Sequence, residues 1–329
     1  MKTTLTILIL LGLGVFGGCQ RAAKKEAPLR PGKELLSVDF EEGKSLRYKF
    51  ICRRSIEIIT KDSTRRGKES SDKSYETMEM VATYTPVQID PYGPTVVKAV
   101  YETVRVKRSG QRAERQDAVE TLSGKSFTFT VSPAGKIEDY SQLRNLIRQA
   151  GDRAFRPKSK WGKIKDPDMI SDFIATQWFL WDSISSIKNP VEGVGVGQSW
   201  NSQLSVPTPM IIQKGRDVTY RLAKINESEK GRLAVITSSF LPSESTPKSW
   251  PIPYPDGTFQ MSGKFGFYRN YKLLDLAGHG EQVYNIDSGR IEKDYQEYQM
   301  VLSATPPFGI SLDLKMIITQ KLITQLLED

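Results

Sequence analysis

One histidine and two cysteines are all that the 329 residues contain of the side chains most used for metal ligation and nucleophilic relays. With His279 alone, the usual zinc clusters and histidine-based triads cannot be assembled within one chain. No Gly-x-Ser-x-Gly elbow occurs, and no glycine-rich phosphate loop ends in Lys-Ser or Lys-Thr. Cys19 and Cys52 cannot build a disulfide framework. Acidic residues are in deficit, 38 against 47 basic, a net charge of +9. That charge favours anionic partners such as lipid headgroups or wall polymers. Aromatics do not interleave with the basic clusters at Arg53–Arg54, Lys61–Lys73 and Lys107–Arg115, so a single-stranded nucleic-acid platform is not expected and the clusters read as loop charges.

Long apolar runs are also missing beyond the amino terminus. There, Met1-Lys2 precedes an apolar stretch over residues 4–16, too short to span a membrane comfortably and arranged like a signal peptide. It ends in Phe16-Gly17-Gly18-Cys19, which resembles the lipobox of bacterial lipoproteins, with Phe16 where an aliphatic residue is usual. The resemblance implies acylation of Cys19, anchoring in the cell envelope and, with Gln20 next, the outer rather than the inner membrane. Residues 19–34 then read as a lipidated tether. Cys52 lies on an apolar strand face and is expected to behave as a small buried hydrophobe.

The folded part alternates with period two. Leu46, Tyr48, Phe50 and Cys52 share one face, with Arg47, Lys49 and Arg53 on the other. Residues 77–89 and 95–107 form a hairpin pattern around Asp90-Pro91-Tyr92-Gly93-Pro94, and 127–131 run into the Pro133-Ala134-Gly135 turn. Further strands are expected near 217–225, 232–241, 258–276, 281–287, 293–304 and 309–320, with His279 in a loop between the fourth and third of these from the end. Leu143, Leu146, Ile147 and Ala150 recur at helical spacing, which predicts a helix over 141–154. A second helix is predicted from Asp168 as cap through Phe173, Trp178 and Trp181 to Ile184. Gly193–Gly197 lacks the strand-to-helix context of a dinucleotide fingerprint and reads as a flexible approach to a strand, with Trp200 a core aromatic.

Two echoes suggest internal duplication. Gly43-Lys44-Ser45-Leu46-Arg47-Tyr48-Lys49-Phe50 returns as Gly215-Arg216-Asp217-Val218-Thr219-Tyr220-Arg221-Leu222. Gly135-Lys136-Ile137-Glu138 returns as Gly289-Arg290-Ile291-Glu292, in the same order along the chain. The lipobox, the opening Gly43–Phe50 strand, the Ser132-Pro133-Ala134-Gly135-Lys136-Ile137 turn and Val196-Gly197-Gln198-Ser199-Trp200 resemble a family of uncharacterised bacterial envelope lipoproteins. In element order the chain also resembles the curved β half-barrels of periplasmic lipoprotein carriers, whose concave face holds acyl chains.

The expectation is a mainly β (α+β) chain of two related curved antiparallel units with two helices between them. Its segments are a signal peptide (1–18), the tether (19–34), a first β unit (35–138), a helical insertion (139–192) and a second β unit (193–329). It would be a non-enzymatic, membrane-anchored envelope protein without cofactor or metal, binding an apolar ligand or an envelope protein partner on a concave face. Trp178, Trp181 and Trp200 are the candidate groove aromatics, with the core reading standing beside this one for Trp200. The alternatives are a purely structural envelope protein with a filled core, and a hydrolase acting through carboxylates, for which Glu138, Asp139, Glu292 and Asp294 are the candidates.

Overall fold

The computed structural model describes residues 32–62, 69–90, 93–109, 116–155, 169–208, 214–245, 269–306 and 312–328. The segment expected to be a signal peptide, Cys19, most of the expected tether and Asp168 lie outside them. The fold is mainly β, a large antiparallel sheet that stays open rather than closing into a barrel. Its ten strands are β2 (Leu46–Asp62), β3 (Glu69–Gln88), β4 (Thr95–Arg108), β5 (Ser126–Val131), β7 (Ser199–Ser205), β8 (Gly215–Ser228), β9 (Gly231–Pro242), β10 (Arg269–Asn285), β11 (Arg290–Thr305) and β12 (Leu312–Leu326). They are ordered β5-β4-β3-β2-β12-β11-β10-β9-β8-β7. Within β2–β5 and within β7–β12 chain neighbours are sheet neighbours, and the two runs are joined by β2 on β12, paired from Tyr48↔Leu326 to Asp62↔Leu312. Residues of both β segments therefore belong to one continuous sheet. A separate pair joins β1 (Lys33–Glu34) to β6 (Val194–Gly195).

Three helices, α1 (Ser141–Phe155), α2 (Ile170–Phe179) and α3 (Asp182–Ser185), follow β5 and precede the β6–β7 segment. They cover the face of the sheet that carries the in-phase apolar residues. Laid flat, ten strands would hold their outer edges about 43 Å apart. Yet Trp181 packs on Phe129 of edge strand β5, ring centroids 5.9 Å apart, while the next residue, Asp182, accepts a hydrogen bond from Ser202 of the opposite edge strand β7 at 3.0 Å. Two consecutive residues can bridge both edges only if the sheet curls round the helices. The core is the inside of that curl.

Glycine serves the curl in two ways. Gly278 and Gly280, on the inner face of β10, have no room for a Cβ against the β11 backbone at Glu297 and Tyr295. Strand interiors that approach this closely call for glycine. Gly135 turns the chain after β5 at φ +77°, and a Cβ there would meet Val38 at 3.0 Å and Trp181 at 3.1 Å. The echoed turn at Gly289 also has positive φ. Both turns hold the strap that carries buried Leu36, Val38 and Phe40, because Val38 N donates to Pro133 O and Asp39 N to Gly289 O.

Several local expectations are corrected. His279 sits within β10, opposite Glu297 of β11 and Ser239 of β9, not in a loop; it joins the strand expected at 281–287 to residues 269–276 of the one expected at 258–276, whose residues 258–268 lie outside the described residues. The glycines around it read as turn residues but answer to strand crowding. The helix expected to run unbroken to Ile184 stops at Phe179 and restarts at Asp182. This break lets Trp181 face β5 and Asp182 face β7. Helix α2 is capped by Met169 without a side-chain bond; instead Asp117, far away in sequence, accepts from Met169 N at 3.2 Å. Val194–Gly195 is a short paired strand, not a free approach.

Candidate functional site

The gap between β5 and β7 is the open side of the sheet, and a groove of about 560 Å³ lies there. One wall is the return of the chain after β5, from Gly135 to Tyr140. That return covers β5's outer edge through Glu138 N to Thr130 O and Ser132 N to Lys136 O, each 2.9 Å. The other wall is Ser202–Ser205 of β7, and Trp178, Asp182, Ser185 and Ser186 form the floor. Trp178 stands edge-on to Tyr140, centroids 4.9 Å apart, giving an apolar patch among hydroxyls, an amide and charges. A cleft of this size with few polar groups around an aromatic patch has the dimensions of a small-ligand site.

The three tryptophans expected to line a groove are placed differently from one another. Trp178 is half-buried in the floor of the groove. Trp181 is buried beneath it, packed against Phe40, Tyr84 and Phe129. The space enclosed below Trp181 by Tyr84, Phe127 and Phe129 amounts to about 10 Å³. Trp200 is buried on β7, stacked near Tyr220, its Nε1 donating to Ser183 O at 2.8 Å.

Two buried polar centres fix the helices. In the first, Arg54 of β2 pairs with Asp172 of α2 at 2.7 Å and Glu76 of β3 at 2.6 Å, and Gln320 of β12 donates to Asp172. Arg108 of β4 pairs with Glu76 and with Asp117, which begins a short 3-10 turn over Ala118–Leu122. Removal from water raises the carboxyls of Asp172 and Asp117, the latter to about 6, against the lowering pull of the arginines. Arg54 and Arg108 are thus interior charges rather than loop charges. Period two shows why: Arg54 falls in phase with Cys52 and Ile56, and Glu76 with Met78 and Met80. A bulge between β3 and β4 near Ala82 shifts Arg108 into the same face.

The second centre lies behind β7. Ser183 donates to Gln282, Gln282 and Gln296 both donate to Asp294, and Gln296 accepts from Arg216 Nη2 at 3.0 Å. Arg216 is fully buried on β8, its guanidinium carbon 4.5–4.9 Å from the ring centroids of Phe179, Phe240 and Tyr298. Asp182 accepts from Tyr220 Oη at 2.8 Å as well as from Ser202. Shielding by surrounding protein raises Asp182 and Asp294 to about 6 each, opposed by their hydrogen bonds and Arg216.

The carboxylates expected to pair are not brought together. Glu138 and Asp139 are exposed, Glu138 on the groove wall, whereas Glu292 on β11 is engaged by Arg290 and Asn285. Cys52 is free and buried, and burial raises its thiol well above the ordinary range. The His279 ring lies 6.5 Å from that of Tyr295. Among the described residues no three of His, Cys, Asp and Glu converge as a metal site, and no helix is long and apolar enough to cross a membrane.

No family model matches the chain, and no curated protein does. Among solved structures it is similar to a lipovitellin structure concerned with lipid–protein interactions, at 11% sequence identity and a TM-score of 0.44, over 88% of this chain and 26% of that one.

Proposed function

We propose that the protein is a lipid-anchored, non-enzymatic module of the bacterial cell envelope that binds an amphipathic ligand at the open side of its sheet. The observation that carries the reading is the groove itself. Among the described residues the sheet stays open, α2 and α3 lie within its curl, and the gap between β5 and β7 presents an aromatic pair, Trp178 and Tyr140, beside polar walls. The anchor supports the same reading. Acylation at Cys19 would leave residues 20–32 between the membrane and β1 at Lys33–Glu34, just before the strap, and thirteen residues reach at most about 47 Å. The strap packs against Gly135, a groove residue, so the groove lies at the tethered end of the fold.

The tight packing under Trp181 favours a second reading, a structural envelope protein whose filled core takes no ligand. Titration with a fluorescent acyl probe separates the two. The ligand reading expects saturable binding of one probe per chain, weakened about tenfold or more by Trp178→Ala at unchanged stability. Absence of saturable binding would leave the structural reading.

A further inference from the structure

Arg216 has an unusual position for a buried charge. Its side chain is fully enclosed, Nη2 bonds Gln296, and Nε and Nη1 have no hydrogen-bond partner among the described residues. A guanidinium removed from water with unmet donors is costly, and three aromatic rings relieve that only in part. The Oη of Tyr298, whose ring is one of the three, is also buried without a partner. Arg216 lies one strand behind the groove wall, opposite Leu204 in the β7–β8 register, and neighbouring Ser205 on that wall has an unpartnered buried hydroxyl.

We infer that Arg216 recognises an uncharged carbonyl oxygen, that of an acyl ester, on a ligand that reaches inward from the groove. This rests on the ligand-binding reading above and names the chemistry of the ligand. Donors without acceptors call for an oxygen. The surrounding charges decide which kind: Asp182 and Asp294 both bear on Arg216 electrostatically, so the centre already holds two carboxyls against one guanidinium. A carboxylate or phosphate arriving there would add a third negative group. An ester carbonyl supplies lone pairs without charge, and its acyl chain stays in the groove on Trp178 and Tyr140.

The test compares 1-monopalmitoylglycerol with 1-O-hexadecylglycerol, the ether that keeps the chain and the glycerol but lacks the carbonyl. Palmitate is the anionic control. All three compete against a fluorescent acyl probe at pH 7.5 on the full chain and on Arg216→Met. The wild type is expected to hold the ester about tenfold tighter than the ether, and the variant to erase that difference. Arg216→Met leaves Asp182 and Asp294 without their cation and so costs stability; should this variant not fold, the ester-to-ether ratio of the wild type decides alone. Equal affinity for ester and ether overturns the role of Arg216 while the ligand-binding reading stands. Palmitate binding tightest overturns the neutral-acceptor assignment, and binding of none of the three sinks the ligand-binding reading itself.

Discussion

Arg54 of β2 and Asp172 of α2 meet at 2.7 Å with neither side chain exposed to solvent, so the helix that floors the groove is fixed to the middle of the sheet by a buried charge. The pair does not stand alone: Glu76 shares Arg54, and Gln320 shares Asp172. Removing one member leaves the other charge buried and uncompensated. Arg54→Ala is therefore expected to cost about 3–5 kcal/mol in urea unfolding. Arg54→Ala with Asp172→Ala should cost clearly less than the two single losses added, because the second removal relieves the charge stranded by the first. Strict additivity would show that the contact is not energetically coupled.

Acid should stabilise this fold over a limited window. Asp117, Asp182 and Asp294 have folded values of about 6, above the value of an exposed aspartate, so the native state holds protons that the unfolded chain has released. Their contribution is complete below the unfolded value, near pH 4, and is lost as pH rises through 6. Urea midpoints are expected to rise from pH 7.5 to pH 5. Below about 4 the trend should reverse, as Glu102, Asp287 and Glu297, held low by basic or hydroxyl partners, are protonated. Asp182→Asn should flatten the slope between pH 5 and 7; an unchanged slope would remove Asp182 from the account.

Gly135 combines a left-handed backbone with two close neighbours, Val38 and Trp181. Replacement by alanine adds about 1–2 kcal/mol of backbone cost, before any adjustment of the strap and Trp181. A loss of stability at least that large is expected, together with a shift of tryptophan fluorescence. Gly43, at similar φ but with open space around it, should show the backbone cost alone.

These effects trace back to what the sequence could and could not carry. Alternation located β2, β3, β4, β5, β8, β9, β11 and β12, because each buries one face and wets the other. The same alternation held a further signal in Arg54, Glu76, Arg216 and Gln320, polar residues at inward positions between apolar ones. Arg54 reads as a loop charge in the sequence, yet it joins Glu76 and Gln320 in the first polar centre, and Arg216 sits in the second. His279 illustrates the opposite ambiguity, since glycine marks both turns and crowded strands, and only the neighbouring strand decides which. The groove had the weakest trace. It is made by a turn, a helix break and an edge strand, brought together by the curl, and of the three named tryptophans only Trp178 lines it.

Cys52 offers a probe of the core. Its thiol is buried on β2 and pushed up by that burial. Thiol reagents are expected to react with it only through unfolding, at a rate that falls when the fold is stabilised and rises in Arg54→Ala. Fast modification of the native protein would contradict the packing of the inner face.

Native mass spectrometry of the protein extracted from its own membrane, beside Cys19→Ser, tests the central claim most directly. The account predicts covalent acyl mass on the wild type, none on the variant, and one additional non-covalent amphiphile released by mild activation and lost in Trp178→Ala. A wild type carrying acyl mass on Cys19 and nothing else, at every activation energy, would contradict the binding role of the groove.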